Sequence, residues 1–256
     1  MIANYHTHTT RCHHAVGSEE EYIESAIAGG MKILGFADHT PQVYPAGYCG
    51  SIRMLPDQLQ DYTDTLCLLR MKYEGKIQLH IGLEAEYYPA LFQDLMALLK
   101  DTPVEYLILG QHWCGNEIGE TYLGRPFDDP DILKRYANQV LEALDSGVFT
   151  YVAHPDLVNF KGDPKHYERY MRQLCRGAAQ RRIPLEINLG GMRNGSHYPN
   201  PAFWRIAAEE ECRVVLGCDA HSPQQLNEPL VEKKALEFAD QFDLYPQKTV
   251  ALRPIG

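Results

Sequence analysis

The sequence lacks the features that would assign it to a membrane, secreted or nucleic-acid-binding class. No uninterrupted apolar run approaches about 18 residues, so nothing predicts a membrane-spanning helix. The segment MIANYHTHTT has neither a basic region nor an apolar core, unlike a secretory signal. Acidic residues outnumber basic ones by 34 to 24, and the net charge of −10 disfavours binding to nucleic acid or anionic lipid.

The seven cysteines are odd in number and form no CxxC pair, which argues against a disulfide framework. Together with the missing signal, they predict reduced thiols in a cytoplasmic enzyme. The chain of 256 residues is 45% hydrophobic and 23% charged, as expected for a folded protein with a sizeable core. It contains no internal repeat or linker, so we expect one domain over residues 1–256.

Short apolar runs alternate with longer amphipathic stretches along the chain. The predicted strands are Ile2–His6, Ile33–Asp38, Ile77–Glu84, Tyr106–Gln111, Thr150–His154, Leu185–Asn188 and Val214–Cys218. Seven strand–helix units in series predict a parallel sheet with right-handed crossovers. A chain of this length can close such a sheet, so we expect an α/β fold, a distorted seven-stranded TIM-like (β/α)7 barrel.

Several predicted helices have recognisable first residues. Ser18 and Glu21 have the spacing of a capping box. Four pairs place a side-chain acceptor before a proline at the first helical position, namely Asp129-Pro130, Asp163-Pro164, Asn200-Pro201 and Ser222-Pro223. The proline-rich segment Pro41–Pro56 interrupts the alternation and predicts a long loop over one face.

Histidines and acids are concentrated where the predicted strands end. These residues are His6, His8, His14 beside His13, His39, Glu84, His112, His154, Asp219 and His221. The carboxyl ends of parallel barrel strands meet at one mouth, where barrel enzymes place their active sites. Imidazole and carboxylate together suit divalent Zn, Mn or Fe. Nine ligands exceed the needs of one ion, so we expect two or three ions, with Glu84 as a bridge.

The remaining histidines have simpler interpretations. His80 lies inside the third strand and is expected to be structural, and His166 lies in a polar helix and is expected to be solvated. Spacing alone does not choose between His13 and His14. A single histidine at a strand end is usually structural, so the metal-site prediction depends on the whole set.

The ordered motifs HxH, DH, GxE, a histidine after strand four, HP and GxDxH resemble the PHP superfamily, the polymerase and histidinol phosphatase family. The similarity is greatest to its histidinol-phosphate phosphatases, in the segments HTHTTRCHHA, DHTP, GLEAEYYP, EINLGGMRNGSHYPNP and LGCDAHSP. Two departures are GQHW, where these proteins commonly have GSVHF, and Cys218, where they have serine. The family pattern selects His14 over His13.

The resemblance implies a metal-dependent phosphoesterase on a distorted barrel. It implies one ion held by His6, His8, Glu84 and Asp219, a second held by Glu84, His112 and His154, and a third held by His14, His39 and His221. A metal-bound water, bridging two of the ions, is then the expected nucleophile in phosphomonoester hydrolysis.

Two arginines are candidates for binding the phosphate. Arg193 lies in a glycine-containing segment after strand six, and Arg53 lies at the end of the proline-rich loop. A guanidinium group can donate two parallel hydrogen bonds to phosphate. Lys161 is a weaker candidate. Asp38 and His197 are candidate proton donors to the leaving group, or residues that orient ligands.

The substrate is expected to be a small phosphomonoester, with histidinol phosphate favoured by the resemblance. Candidates for contacting its imidazole and ammonium groups are Glu86, Tyr44, Tyr48, Tyr87 and Trp113. The alternatives are another small phosphomonoester or nucleotide, an amidohydrolase-type barrel, or a non-catalytic metal-binding barrel. The sequence does not identify the metal or the oligomeric state.

Overall fold

A parallel sheet of seven strands, rolled into a barrel, forms the centre of the computed structural model, which describes residues 1–255. Neighbouring strands of this sheet follow one another in chain order. They are β1 Ala3–Asn4, β2 Ile33–His39, β3 Gln78–Ala85, β4 Tyr106–Leu109, β7 Phe149–Val152, β8 Leu185–Asn188 and β9 Val214–Gly217. The predicted α/β barrel is therefore confirmed. Several strands are shorter than predicted because the chain leaves the ladder before the ligand residues.

Helices cover the outside of the sheet. They are α1 Glu19–Ala28, α2 Leu59–Lys72, α3 Phe92–Leu99, α4 Pro130–Asp145, α5 Pro164–Gln180, α6 Leu189–Arg193, α7 Pro201–Glu209 and α8 Pro229–Asp240. The Ser18 capping box is present, and the side chains of Asp129, Asp163 and Asn200 cap α4, α5 and α7. Ser222 instead precedes a short 3-10 helix, Pro223–Leu226.

Sequence patterning does not predict a small antiparallel hairpin between β4 and α4. Its strands are β5 Trp113–Cys114 and β6 Thr121–Tyr122. Two-residue strands are too short for a period-two pattern to be recognised. The hairpin extends above the carboxyl end of the barrel, beside His112.

The first and last strands are joined by only a few contacts. The Asn4 side chain accepts a hydrogen bond from Cys218 N at 2.8 Å and donates to Thr7 Oγ1 at 2.7 Å. Thr7 and Ala220 form an isolated parallel bridge, in which His8 N donates to Ala220 O at 2.9 Å. A buried amide thus replaces part of the missing ladder and places β1 beside β9.

Aromatic side chains fill the barrel below its carboxyl end. The Tyr106 hydroxyl donates to the carbonyls of Tyr5 and Phe36 at 2.8 and 3.0 Å, so this buried ring links three strands. Val250 and Leu252 of the C-terminal segment pack against the same inner cluster. The interior is therefore filled, and the space for a ligand lies at the other end.

Two findings concern membranes and thiols. In the part of the chain that the structure describes, no helix combines the length and apolarity needed to cross a bilayer. All seven cysteines are free thiols, as the sequence predicts.

We expect Asn4→Leu to lower the free energy of unfolding by about 3 kcal/mol, because Cys218 N loses its buried acceptor and the turn at Thr7 loses its donor. Urea unfolding monitored by circular dichroism measures this change. Asn138→Ala, at an exposed site on α4, serves as the control and should change stability by less than about 0.5 kcal/mol. Equal effects of the two substitutions would contradict a closing role for Asn4.

Candidate metal centre

The nine predicted metal-ligating side chains come together at the carboxyl end of the barrel, and Glu84 lies at their centre. Its Oε2 atom is 3.1 Å from His39 Nδ1, 3.4 Å from His6 Nε2 and 3.5 Å from His8 Nε2. Three imidazoles, two from the segment after β1 and one from β2, thus point toward one carboxylate oxygen. The side chains of Glu84, His6 and His8 are almost completely buried.

The other oxygen of Glu84 faces a second set of imidazoles. Glu84 Oε1 lies 2.7 Å from His154 Nε2 and 3.6 Å from His112 Nε2. The shorter GQHW segment therefore still brings His112 to the centre. Because its two oxygens address different histidines, Glu84 has the placement required of a bridging ligand.

Asp219, which follows β9, belongs with Glu84, His6 and His8 to the inner group of the centre. Its Oδ1 atom lies 3.2 Å from His8 Nε2 and 3.5 Å from His6 Nε2. The ligand atoms of His6, His8 and Asp219 all lie within 4.8 Å of one another, as do those of His6, Glu84 and His154.

An outer group lies nearer the surface. The ligand atoms of His14, His39 and His221 are also within 4.8 Å of one another, and the rings of His14 and His221 are 4.5 Å apart. Cys12 forms a further group with His8 and His221. Cys12 is not predictable as a member of this group, because a single cysteine has no diagnostic spacing.

Several atoms at this centre that could bind a metal ion have no ordinary hydrogen-bond partner. Within residues 1–255, the buried atoms that lack one include His6 Nε2, His8 Nε2, His39 Nδ1, Glu84 Oε2 and His221 Nε2. A buried polar atom without a partner is costly. Imidazole nitrogens and carboxylate oxygens that converge in this way fit divalent cations, which would bind to all of these atoms together.

Proton affinities at the centre reflect the same arrangement of charges. Burial lowers the pKa of His6, but Glu186, Asp219 and Glu84 outweigh it and raise that pKa to about 10. Burial and the neighbouring His8 lower the pKa of His221 to about 3. Burial raises the pKa of Glu84, but the surrounding imidazoles hold it well below its usual range. In the ion-free protein, protons on inner histidines therefore balance the carboxylates.

The backbone adopts unusual conformations at two ligands. His154 has φ of +30° and Asp219 has φ of +47°, values that are uncommon for residues other than glycine. Such strain concentrates at functional sites, where the surroundings enforce it. At Gly110 a Cβ atom would lie 1.8 Å from Glu84 Oε1, so only glycine leaves room for the central carboxylate.

A second layer of carboxylates orients the histidines. Glu186 Oε1 lies 2.8 Å from His6 Nδ1, and Glu86 Oε1 lies 3.0 Å from His112 Nδ1. Asp38 Oδ1 lies 3.4 Å from His8 Nδ1. A carboxylate on one ring nitrogen selects the tautomer that leaves the other nitrogen free to bind a metal. The sequence analysis did not single out Glu186.

The centre forms the floor of a cavity of about 600 Å³. Arg193, from the end of α6, lines this cavity, as expected for a phosphate-binding candidate. Its Nε atom donates to Glu228 at 2.5 Å and its Nη2 atom donates to the Cys218 carbonyl at 3.3 Å. These contacts fix the guanidinium in place.

Arg53, the other phosphate-binding candidate, does not reach the cavity. It is 2% exposed, and its Nη2 atom lies 2.6 Å from Glu86 and 2.8 Å from Glu117. The two buried carboxylates neutralise the guanidinium and hold it beneath the proline-rich loop. Arg53 is thus a structural neighbour of Glu86, the residue that orients His112.

The two proton-donor candidates also lie outside the cavity lining. Asp38 is fully buried and accepts hydrogen bonds from the backbone of Thr9 at 3.2 Å and of His39 at 2.8 Å. His197 Nε2 lies 2.6 Å from the Leu157 carbonyl. Local hydrogen bonds therefore engage both side chains. Lys161 is exposed and does not line the cavity either.

The cavity wall differs from the predicted substrate contacts. Only Trp113 of the five candidates lines it. Glu86 is buried behind His112, and the hydroxyls of Tyr44 and Tyr48 face Glu117, while that of Tyr87 donates to Glu142. Four wall residues that were not predicted from the sequence are Glu120, Tyr122, Arg125 and Tyr198. The first three belong to the unpredicted hairpin or the residues that follow it.

Comparison with protein families places these features in a known group. The family model described as the PHP domain matches residues 4–189, which contain seven of the nine ligand candidates. The chain belongs to the PHP domain family.

Two relatives of this PHP domain illustrate what it is similar to. A Deinococcus radiodurans protein named "Probable histidinol-phosphatase" is 28% identical over 239 residues, covering 88% of each chain. A Shewanella halifaxensis protein named "Probable phosphatase" is 24% identical over 245 residues, covering 93% of this chain and 85% of that protein.

A solved structure shares the fold. It is histidinol phosphate phosphatase from Lactococcus lactis complexed with zinc, L-histidinol and phosphate, with a TM-score of 0.74 and 17% sequence identity. The match covers 99% of this chain and 97% of that chain.

For this PHP domain we expect Glu86→Gln to weaken zinc binding by about 10- to 100-fold, because His112 loses the carboxylate that orients it. Titration against a chromophoric chelator measures the affinity. Glu237→Gln, at an exposed site on α8, is the matched control. Urea unfolding of the ion-free variants separates this effect from the instability caused when Arg53 loses one of its two carboxylate partners and keeps Glu117. Unchanged zinc affinity in Glu86→Gln would rule out the orienting role.

Zinc binding by this protein should release protons at pH 7, because the pKa values of His6, His8 and His154 are raised in the ion-free protein and these imidazoles must be deprotonated to bind a metal. Raised pKa values mean that protons compete more strongly as the pH falls, so affinity should increase from pH 6 to pH 8. Calorimetry in buffers of different ionisation enthalpy measures the release, with the His166→Ala variant as control. Binding heat independent of the buffer would contradict this account.

Proposed function

We propose that this chain is a metal-dependent phosphoric monoester hydrolase, and that its substrate is histidinol phosphate. The observation that carries the proposal is the cluster of nine imidazole and carboxylate groups, seven of which line a cavity that has Arg193 in its wall. The relative named as a probable histidinol-phosphatase supports it, and so does the fold shared with the Lactococcus lactis enzyme.

The proposed centre holds two or three divalent ions, with zinc, manganese or iron as candidates. His6, His8, Glu84 and Asp219 would hold one, and His112 and His154 would hold another together with Glu84. His14, His39 and His221 would hold a third. Bound ions would lower the pKa of a coordinated water toward about 7 and offset the negative charge of a phosphoryl group.

Arg193 is the proposed phosphate-binding residue. Glu228 and the Cys218 carbonyl engage Nε and Nη2 of its guanidinium. Within residues 1–255, Nη1 has no such contact, so it can donate to a phosphate oxygen without first breaking an internal bond. Because its partners fix its orientation before substrate arrives, little side-chain entropy is lost on binding.

The hairpin side of the cavity is the proposed contact surface for the organic part of the substrate. Trp113 and Tyr122 pack with ring centroids 5.2 Å apart and form an aromatic wall, against which an imidazole ring can stack. Glu120 lies in the same wall; Arg135 Nη2 donates to its Oε2 atom at 3.3 Å, and its Oε1 atom is the acceptor proposed for an ammonium group. A leaving group that is both cationic and aromatic therefore matches this wall.

Asp38 is proposed as a positioning residue for His8 and His39. Its contacts with His8 Nδ1 and with the backbone of His39 hold two ligand residues in register. The carboxylate is buried behind the ligands, so it contacts neither the leaving oxygen nor the phosphate. We propose for His197 a role in holding the loop after β7 through the Leu157 carbonyl.

Purified protein with measured metal content should release phosphate from histidinol phosphate. We expect kcat/KM at least about 100-fold above that for p-nitrophenyl phosphate or nucleoside monophosphates, because only histidinol phosphate matches the wall of Trp113, Tyr122 and Glu120. Chelation should abolish activity, and added zinc or manganese should restore it. Asp219→Asn should lose activity, whereas Asp240→Asn, at an exposed site, should retain it.

Two results would contradict different parts of the proposal. Faster hydrolysis of another phosphomonoester would reject the substrate and keep the reaction class. Metal-replete protein that hydrolyses none of these esters would reject the phosphatase itself and favour a metal-binding barrel without catalysis.

A further inference from the structure

Two arginines line the cavity, and their surroundings differ. The charge of Arg193 is countered by Glu228 at 2.5 Å. Arg125 also lines the cavity and is exposed to solvent. Among residues 1–255, no carboxylate oxygen lies within 4 Å of its guanidinium nitrogens. Arg125 therefore places in the cavity a positive charge that forms no ion pair with a carboxylate in the described part of the chain.

The backbone that carries Arg125 is held on both sides. Leu123 N donates to His112 O, and Asn159 N donates to Leu123 O, each at 2.8 Å. The Asn159 side chain donates to Gly124 O at 3.2 Å, and Phe127 N donates to Asn159 O at 3.2 Å. Residues 123–127 thus pair with the segment that follows β7. This pairing fixes the position from which the side chain extends.

Arg125 and its neighbour Tyr122 both lie close to the metal centre. Both side chains line the cavity whose floor contains Glu84 and Asp219. The pKa of Tyr122 is raised by burial and by the charges of Asp219 and Glu84, and it is lowered by Arg125. The charge of Arg125 therefore acts on the same small region as the two central carboxylates.

We propose that Arg125 is a second phosphate-binding residue, which contacts the phosphoryl group from the hairpin side while Arg193 does so from α6. The inference rests on the proposed phosphatase function. An unpaired guanidinium binds an oxyanion without losing an existing ion pair, and its fork matches two phosphate oxygens. The remaining charged group of this wall, Glu120, would repel an anion, so Arg125 is the group that can hold phosphate on this side.

Isothermal titration of inorganic phosphate into zinc-loaded protein tests the proposal. Arg125→Ala should weaken phosphate binding by about tenfold or more, since a charge-assisted hydrogen bond is lost. Arg125→Lys should give an intermediate affinity, because it keeps the charge without the fork. Arg169→Ala is the matched control, since it removes one positive charge from an exposed site on α5, where Arg169 stacks on Tyr170.

Equal phosphate affinity in Arg125→Ala and the unsubstituted protein, at equal zinc content, would overturn the proposal. Equal weakening by Arg125→Ala and Arg169→Ala would also overturn it, because global charge would then explain the loss. Failure of the phosphatase function is a separate result. It would be the absence of phosphate release by the unsubstituted protein, whereas this titration measures phosphate binding directly.

Discussion

The buried carboxylate of Glu84 imposes the main constraint on this molecule. A carboxylate removed from water is stable only when cations or strong donors surround it. Here five imidazoles fill that role, three at one oxygen and two at the other. They arrive from β1, β2, the end of β4 and the end of β7, so the barrel must bring these strand ends to one point. Gly110 provides the space into which the carboxylate fits.

A second set of carboxylates connects these histidines to the residues around the centre. Glu186 contacts His6 with one oxygen and accepts hydrogen bonds from His154 N and the Asn188 side chain with the other. Glu86 links His112 to the buried Arg53, and Arg53 reaches Glu117 beyond β5. The proline-rich loop and the hairpin are thereby tied to a single ligand.

The sequence contains enough information to predict the fold and the convergence of the nine candidate side chains, but not the cavity wall. Ligands such as His39 and His154 are predictable because every parallel strand delivers its carboxyl end to the same mouth. The buried position of Arg53 is not predictable from the sequence, because its partner Glu117 is 64 residues away and no local pattern pairs them. The hairpin escapes detection because its strands have two residues each. The positions of Arg125 and Tyr122 in the cavity wall are not predictable either, since their proximity to the centre depends on that turn.

The bridge between Thr7 and Ala220 has a consequence for how the centre is assembled during translation. His6 is made early and Asp219 late, with more than two hundred residues between them. At about 5–20 residues per second, the first ligands wait roughly 10–40 s for the last ones. The nascent chain therefore holds most of its imidazoles with no closed barrel around them. A chain truncated before β9 would lack Asp219 and His221, so complete synthesis is a precondition for a complete centre.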